Sequence, residues 1–329
     1  MTIKVGIVGM GNIGNVHGGC YVDDPLAEIV AVCDVIQERA DRAAEKYGCP
    51  AFYSVKDMLK NGPKLDACSI TSAGVENGGD HYVPTMEVLA AGIPTLGEKP
   101  ISNNIEHARE MVALAKKKRV PYAVDLNHRF TPAARLAKQW IADERLGQLH
   151  IMNMTMWINN PNESSPWFHL RALHPHSIDV MRYFCGPVKS VQAFLMKGKG
   201  RAIWSNAQIN MLFKNNVVGH LTGSYDAGGS FGLERAEVVG SDGRFVLDDA
   251  CVDLTFYDRH SPMTETFHNY GGMTGFGMTF ASRIHRWLEQ LSEGVKPAAV
   301  DGSGADALAV QEVIEAAITS WETHSVVDL

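Results

Sequence analysis

The sequence predicts two joined folds: a doubly wound parallel α/β domain over residues 1–123, then an α+β domain over 124–329 with an open, mainly antiparallel sheet. Three observations carry this. Short apolar runs alternate with helical stretches as far as residue 123. The first run passes straight into a GxGxxG turn. Beyond residue 130, long alternating runs replace the strand–helix rhythm.

The run over 3–8 has the β-branched composition of a buried parallel strand. It feeds Gly9-Met10-Gly11-Asn12-Ile13-Gly14, a helical stretch, and a second run over 29–33 closed by Asp34. Strand, glycine turn, helix, strand and terminal acid make up the dinucleotide-binding fingerprint of a Rossmann domain. Gly9 permits the tight turn, Gly11 lets the backbone approach a pyrophosphate, and Gly14 lets helix and strand pack closely. The helix N-terminus adds free N–H groups. Asp34 suits the adenosine ribose hydroxyls and would repel a 2′-phosphate. Val35 and Ile36 offer no arginine to hold one, so NAD is favoured over NADP.

Helices over 37–47, 81–91 and 104–117 and strands over 66–71, 93–97 and 121–125 complete this domain. In such sheets ligands sit outside the carboxyl ends of the strands. The loops at 9–14, 71–80 and 97–102 are therefore expected to face one crevice. Met10, Asn12, Ile13, Thr71, Ser72, His81, Glu98 and Lys99 are the expected cofactor neighbours there.

The second domain begins with a helix over 132–143, a strand over 150–157, a loop containing Pro161 and Pro166, and a helix from about Pro175 to Phe184. Strands are expected over 188–196, 202–213, 217–225, 234–240, 244–248 and 252–257, with Ser241-Asp242-Gly243 as a hairpin-type turn. Helices over 280–291 and 305–321 close the chain.

With 45% hydrophobic and 20% charged residues, the composition is that of a globular protein. A net charge of −7 argues against nucleic acid as a partner. No apolar stretch is long enough to span a membrane, and the chain opens directly on a structural strand, so a cytoplasmic location is expected. The six cysteines form no CxxC pair, as expected of buried thiols in a reducing compartment.

GxGxxG, Glu98-Lys99-Pro100 after the fifth strand and His176-Ser177-Ile178-Asp179 opening a helix together resemble the Gfo/Idh/MocA family (glucose–fructose oxidoreductase, inositol dehydrogenase and MocA type). The resemblance extends to Asn127-His128-Arg129-Phe130-Thr131-Pro132 and to the closing helix. It implies an NAD-dependent oxidoreductase moving a hydride between nicotinamide and a secondary hydroxyl or ketone of a sugar, sugar derivative or cyclitol. It also implies a homodimer or homotetramer formed through the second-domain sheet, and it makes Lys99 and His176 the catalytic pair. The chemistry suits them: a histidine can accept and return a hydroxyl proton near neutrality, and a lysine ammonium stabilises a developing alkoxide. The same motifs would serve an NAD-dependent glycosidase that uses transient oxidation of its substrate. A non-catalytic NAD sensor should lack the pair.

Two departures stand out. Many relatives place an aspartate four residues before this histidine; here that position is Ala172, so either His174 or Asp179 supports His176 or it works alone. The 73–80 loop is longer and richer in glycine than usual. Asn127, Arg129, Trp157, His174 and Asp179 join Lys99 and His176 as expected substrate neighbours. Arg129 and Arg171 could hold an acidic group or pair elsewhere, and Trp157 could stack on a sugar or pack in the core. Histidines 169, 174 and 176, with His128 and His150, lack the spacing of a zinc site, and no metal is expected.

Overall fold

The computed structural model describes residues 2–75, 78–79, 81–227 and 232–329; Glu76, Asn77 and Asp80 of the 73–80 loop lie outside the described residues. Two compact units emerge: Met1–Asp125 with Phe280–Leu308, and Leu126–Thr279 with Ala309–Leu329.

The first unit runs β1 (Ile3–Val8), α1 (Asn12–Asp23), β2 (Ala27–Cys33), α2 (Gln37–Tyr47), β3 (Ala51–Phe52), α3 (Val55–Asn61), β4 (Ala67–Ile70), α4 (Tyr82–Ala90), β5 (Thr95–Gly97), α5 (Ile105–Lys118) and β6 (Tyr122–Val124). The sheet order is β3-β2-β1-β4-β5-β6, all parallel. Its strands are short and apolar because both faces are covered. On one face Val5 and Ile7 join a core with Tyr21 and Val32; on the other Val8 packs with Cys33, Met58 and Ile70. The order reverses at β1 and β4, so the loops leaving those two strands stand side by side. The glycine turn follows β1. β3 and α3 were not foreseen: two and seven residues are too few to show a period. Only the cap, Ser54 accepting from the Asp57 N–H at 3.2 Å, marks that helix.

The second unit opens on a one-turn helix, Asn127–Phe130, and α6 (Pro132–Ala142), then β7 (Leu149–Trp157) and α7 (Phe168–Cys185). β8 (Val188–Met196), β9 (Asn206–Phe213), β10 (Val218–Ser224), β11 (Leu233–Gly240), β12 (Gly243–Asp248), β13 (Asp253–Asp258) and β14 (Thr264–Phe267) follow. After them come α8 (Gly277–Ser292), α9 (Gly304–Thr323) and β15 (Val327–Asp328). The sheet order is β14-β13-β12-β11-β7-β10-β9-β8-β15; β7 and β10 pair in parallel, and the remaining pairs are antiparallel. Met152, Met154 and Met156 of β7 enter the core with Ile178 and Met181 of α7. The alternate residues point the other way. On that opposite face Ile151, Val218, Phe194 and Met196 stand exposed.

Two expectations need correction. α7 begins at Phe168, and Pro175 lies inside it rather than at its start. A proline read alone signals a helix start, and inside a helix it costs ~3 kcal/mol. Here that cost is offset by burial around the helix, from Phe168 and Leu170 to Phe184 and Cys185. The second domain is also not one continuous segment. Ile284, Trp287 and Leu288 of α8 belong to the core of the first unit with Val5 and Ile7, so Phe280–Leu308 returns there. Among the described residues no helix is long and apolar enough to cross a membrane.

Candidate active site

Gly9 has φ +95°, and a Cβ there would lie 2.4 Å from the Ser72 nitrogen. At Gly14 a Cβ would come within 1.9 Å of the Gly9 carbonyl oxygen. Both are glycine because backbone approaches backbone. Gly11 differs. The nearest atom to its missing Cβ is Arg39 Nη1 at 4.0 Å, which leaves an open place beside the first N–H groups of α1. That cradle fits a dinucleotide pyrophosphate.

Several expected cofactor neighbours hold this cradle together. Asp34, at the end of β2, accepts from the Met10 N–H at 2.6 Å and the Ile36 N–H at 2.8 Å. Its carboxylate therefore pins the glycine turn and keeps lone pairs for a ribose hydroxyl. The Thr71 hydroxyl lies 3.0 Å from the Val8 carbonyl and 2.7 Å from the Gly9 carbonyl. His81 sets Nδ1 against the Pro100 carbonyl at 2.8 Å and Nε2 against the Ser72 carbonyl at 2.9 Å, a clasp between the loops after β4 and β5. The positions of Thr71 and His81 were legible, but their side chains serve the loops. Asn12 is exposed and Ile13 half-buried at the start of α1.

Glu98 and Lys99 leave the end of β5, and beneath them lies a buried charge cluster that the sequence reading missed. His17 Nε2 faces Glu98 Oε1 at 3.1 Å and Asp125 Oδ2 at 3.4 Å; Nδ1 meets Ser69 Oγ, which meets the Tyr21 hydroxyl. Burial alone would lower the His17 pKa, but Asp125 and then Glu98 outweigh it and set it at about 9. Burial, then the charge of Asp125, pushes the Glu98 carboxyl up. Burial lowers the Lys99 ammonium, with Glu98 and Asp125 pulling against it. A lysine so poised can donate to a substrate oxygen and adjust its charge as that oxygen changes. One signal for His17 was available: Gly14, His17, Gly18 and Tyr21 form the buried stripe of α1 at helical spacing.

In the second unit His176 lies in the middle of α7 and stacks on His128, ring centroids 4.3 Å apart and planes 8° apart. His128 Nδ1 meets Glu234 Oε1 at 2.5 Å. Cys251 approaches the same two residues, presented by a turn in which Asp249, Ala250 and Cys251 all have positive φ. Neither Glu234 nor Cys251 carries a sequence signal for this. His128 Nδ1 meets the Glu234 carboxylate, and His17 Nε2 meets Glu98 and Asp125, so each cluster has contacts within the protein.

The remaining expected substrate neighbours sort into two groups. Asp179 and Arg129 form a buried two-pronged ion pair, with Nε to Oδ2 at 2.7 Å and a second contact from Nη2 to Oδ1, so Arg129 has an internal acid. Asn127 is buried and donates to Thr279 Oγ1 at 2.7 Å. His174 is a core histidine. His169 Nδ1 meets the Trp204 carbonyl, which can only accept, so His169 Nε2 accepts from His174 Nε2 at 3.0 Å and His174 Nδ1 is left to Ser177. Burial lowers His169 to about 4, and burial followed by the charge of His169 holds His174 well below its ordinary value. Both are neutral spacers over Gly223, where a Cβ would strike the His174 ring. His174 is thus not placed to support His176, because its two ring nitrogens are taken by Ser177 and His169, whereas Asn127 keeps an Oδ1 that is buried without a hydrogen-bond partner among the described residues. The indole N–H of Trp157 is likewise buried without an acceptor among the described residues. Arg171 pairs with Glu315 rather than waiting for a ligand.

Comparison with known proteins fits this arrangement. Two family models match, one described as oxidoreductase family, NAD-binding Rossmann fold, over residues 3–126 and one as GFO/IDH/MocA C-terminal domain over residues 134–246. The chain is 24% identical to inositol 2-dehydrogenase of Rhizobium meliloti over 97% of each chain. It is 31% identical to D-glucoside 3-dehydrogenase of Escherichia coli over 45% of this chain and 42% of that one. Levoglucosan dehydrogenase, solved in complex with NADH and levoglucosan, has the same fold, with a TM-score of 0.88 at 23% identity covering 100% of this chain and 99% of the other.

Proposed function

Because the chain belongs to the Gfo/Idh/MocA family of NAD-binding oxidoreductases, we propose that it is an NAD-dependent dehydrogenase or reductase of a polyhydroxylated ring: a cyclitol, a monosaccharide or an anhydro sugar. The observation that carries this is the carboxyl edge of the first sheet, where the open cradle at Gly11 follows β1 and the half-buried Lys99 follows β5, two strands along the same edge. The named activities of the relatives on inositol, glucoside and levoglucosan support the substrate class.

When bound, the nicotinamide supplies a hydride acceptor or donor. Gly11 and the N-terminus of α1 bind the pyrophosphate, and Asp34 holds the ribose. Lys99 donates to the reacting oxygen and stabilises its alkoxide character. His176 takes the hydroxyl proton in oxidation and returns it in reduction. The indole N–H of Trp157, buried without an acceptor among the described residues, is a donor for a substrate hydroxyl. The exposed apolar residues on the outer face of the second sheet support a homodimer or homotetramer formed through that face.

The test is a screen of cyclitols, monosaccharides, uronic acids and anhydro sugars with NAD and NADP in parallel, following reduced cofactor and free sugar. Net NADH on one ring class supports the reading. Sugar release from glycosides without net NADH would replace it with the glycosidase.

A further inference from the structure

Three elements far apart in the sequence meet at the stack formed by His176 and His128. His128 comes from the one-turn helix at 127–130, Glu234 from the start of β11, and Phe276 from the segment before α8. The two imidazoles lie nearly parallel, 4.3 Å between centroids, which is face-to-face contact rather than passing proximity. Phe276 sets its ring roughly perpendicular to both, 5.6 Å from His128 and 6.2 Å from His176. At its far side the stack ends in the 2.5 Å contact between His128 Nδ1 and Glu234 Oε1. Both histidines are buried.

We propose that Glu234 and His128 are positioning residues for His176: the carboxylate fixes the His128 ring, and the stack fixes the plane and the charge balance of the acid–base ring. The inference rests on the reading of His176 as that group. A carboxylate can only accept, so Nδ1 of His128 carries the hydrogen and the ring is anchored in one tautomer. His128 Nε2 then keeps its lone pair; it is buried without a hydrogen-bond partner among the described residues. Rotation of His176 would break the stack and drive its ring against Phe276.

The charge argument follows from proton balance. In oxidation the substrate O–H bond breaks, a ring N–H forms on His176, and the hydride leaves carbon for the nicotinamide. Glu234, neutral His128 and protonated His176 then sum to zero. Without the carboxylate the buried stack would carry an uncompensated cation. Among the described residues the other charged or titratable groups around the stack include Asp179 of α7, paired with Arg129, and Cys251 after β12 with Asp248 behind it. Of these Asp179 is tied to a guanidinium and burial holds the Cys251 thiol protonated, whereas the Glu234 carboxylate meets His128 directly. Position 172, where the resemblance leads one to expect an acid, carries only a methyl group. Support for His176 thus arrives from a strand and a turn.

Glu234→Gln is the test, because it keeps the shape and an accepting oxygen and removes the charge. We expect kcat for oxidation to fall about tenfold or more at neutral pH and its acid limb to move to lower pH by about one unit. KM for NAD should stay within about twofold, and Glu234→Asp should restore a large part of kcat. A second readout needs no turnover: in substrate-free protein the 15N spectrum should show His128 as the Nδ1–H tautomer, and the His176 resonances should shift in Glu234→Gln. If Glu234→Gln does not fold, His128→Phe keeps a stacking ring, removes the carboxylate link and gives the same readouts. An unchanged pH profile, or His176 resonances that ignore both variants, overturns the proposal. Failure of the dehydrogenase reading looks different: no polyol turns over, while the tautomer and the resonance shift remain.

Discussion

His17 in the first unit and His174 in the second are equally deep, both with no exposed surface, yet they hold opposite charge states. Burial drives each toward the neutral form. His17 has two carboxylates within 3.4 Å and is raised to about 9. His174 has a second histidine and a serine and sits well below the ordinary value. Depth sets the cost of a charge, and the partner decides whether the charge exists. The His17 cation steadies the carboxylates beside Lys99, while the neutral pair at His169 and His174 fills the space over Gly223.

The largest test of this contrast is chemical. Lys99→Met removes the one group of the charged cluster assigned to the substrate. Turnover on the substrate found by the screen should fall by about 10²- to 10³-fold, roughly 3–4 kcal/mol of transition-state stabilisation. A loss of less than fivefold would detach the cluster from catalysis.

Stability comes next. His17→Gln leaves two buried acids without their cation and should cost ~3–5 kcal/mol in denaturant unfolding. His174→Leu strands only the neutral hydrogen bonds of His169 and Ser177 and should cost ~1–3 kcal/mol. Equal losses would erase the distinction between the two histidines.

The smallest effect is read from melting temperature against pH. The pKa of His17 is raised in the fold, so its contribution is whole below about 6.5 and fades as pH rises through about 9. That of His169 is lowered to about 4, so its contribution is whole above about 6.5 and fades as pH falls toward 4. The alkaline decline should flatten in His17→Gln and persist in His174→Leu. A wild-type melting temperature that climbs between pH 7 and 9 contradicts the charged His17.

The same contrast explains what the sequence could reveal. The first sheet was legible because its strands are continuous apolar runs punctuated by glycine, and Gly9, Gly11, Gly14 and Asp34 lie in one local motif. Lys99 and His176 stood out because each sits inside a short recognisable run, Glu98-Lys99-Pro100 and His176-Ser177-Ile178-Asp179. Asp125 and Glu234 were not, because their roles depend on the residues brought opposite them, 108 residues away for His17 and 106 for the His128 contact. His174 misled for the reverse reason: a polar residue near a motif looks like a ligand contact until its neighbours claim both ring nitrogens. Pro175 misled because local preference was outweighed by packing that only the folded unit supplies.

The return of α8 to the first sheet bears on how the chain is made. A ribosome delivers β1 to β6 early, but Ile284, Trp287 and Leu288 emerge only after most of the second unit has been threaded out. Until then the apolar side chains of Val5 and Ile7 lack those covering partners. The nucleotide-binding half is therefore among the first parts synthesised and among the last to be finished, and a nascent chain arrested near residue 125 should be a client for chaperones rather than a free-standing cofactor binder.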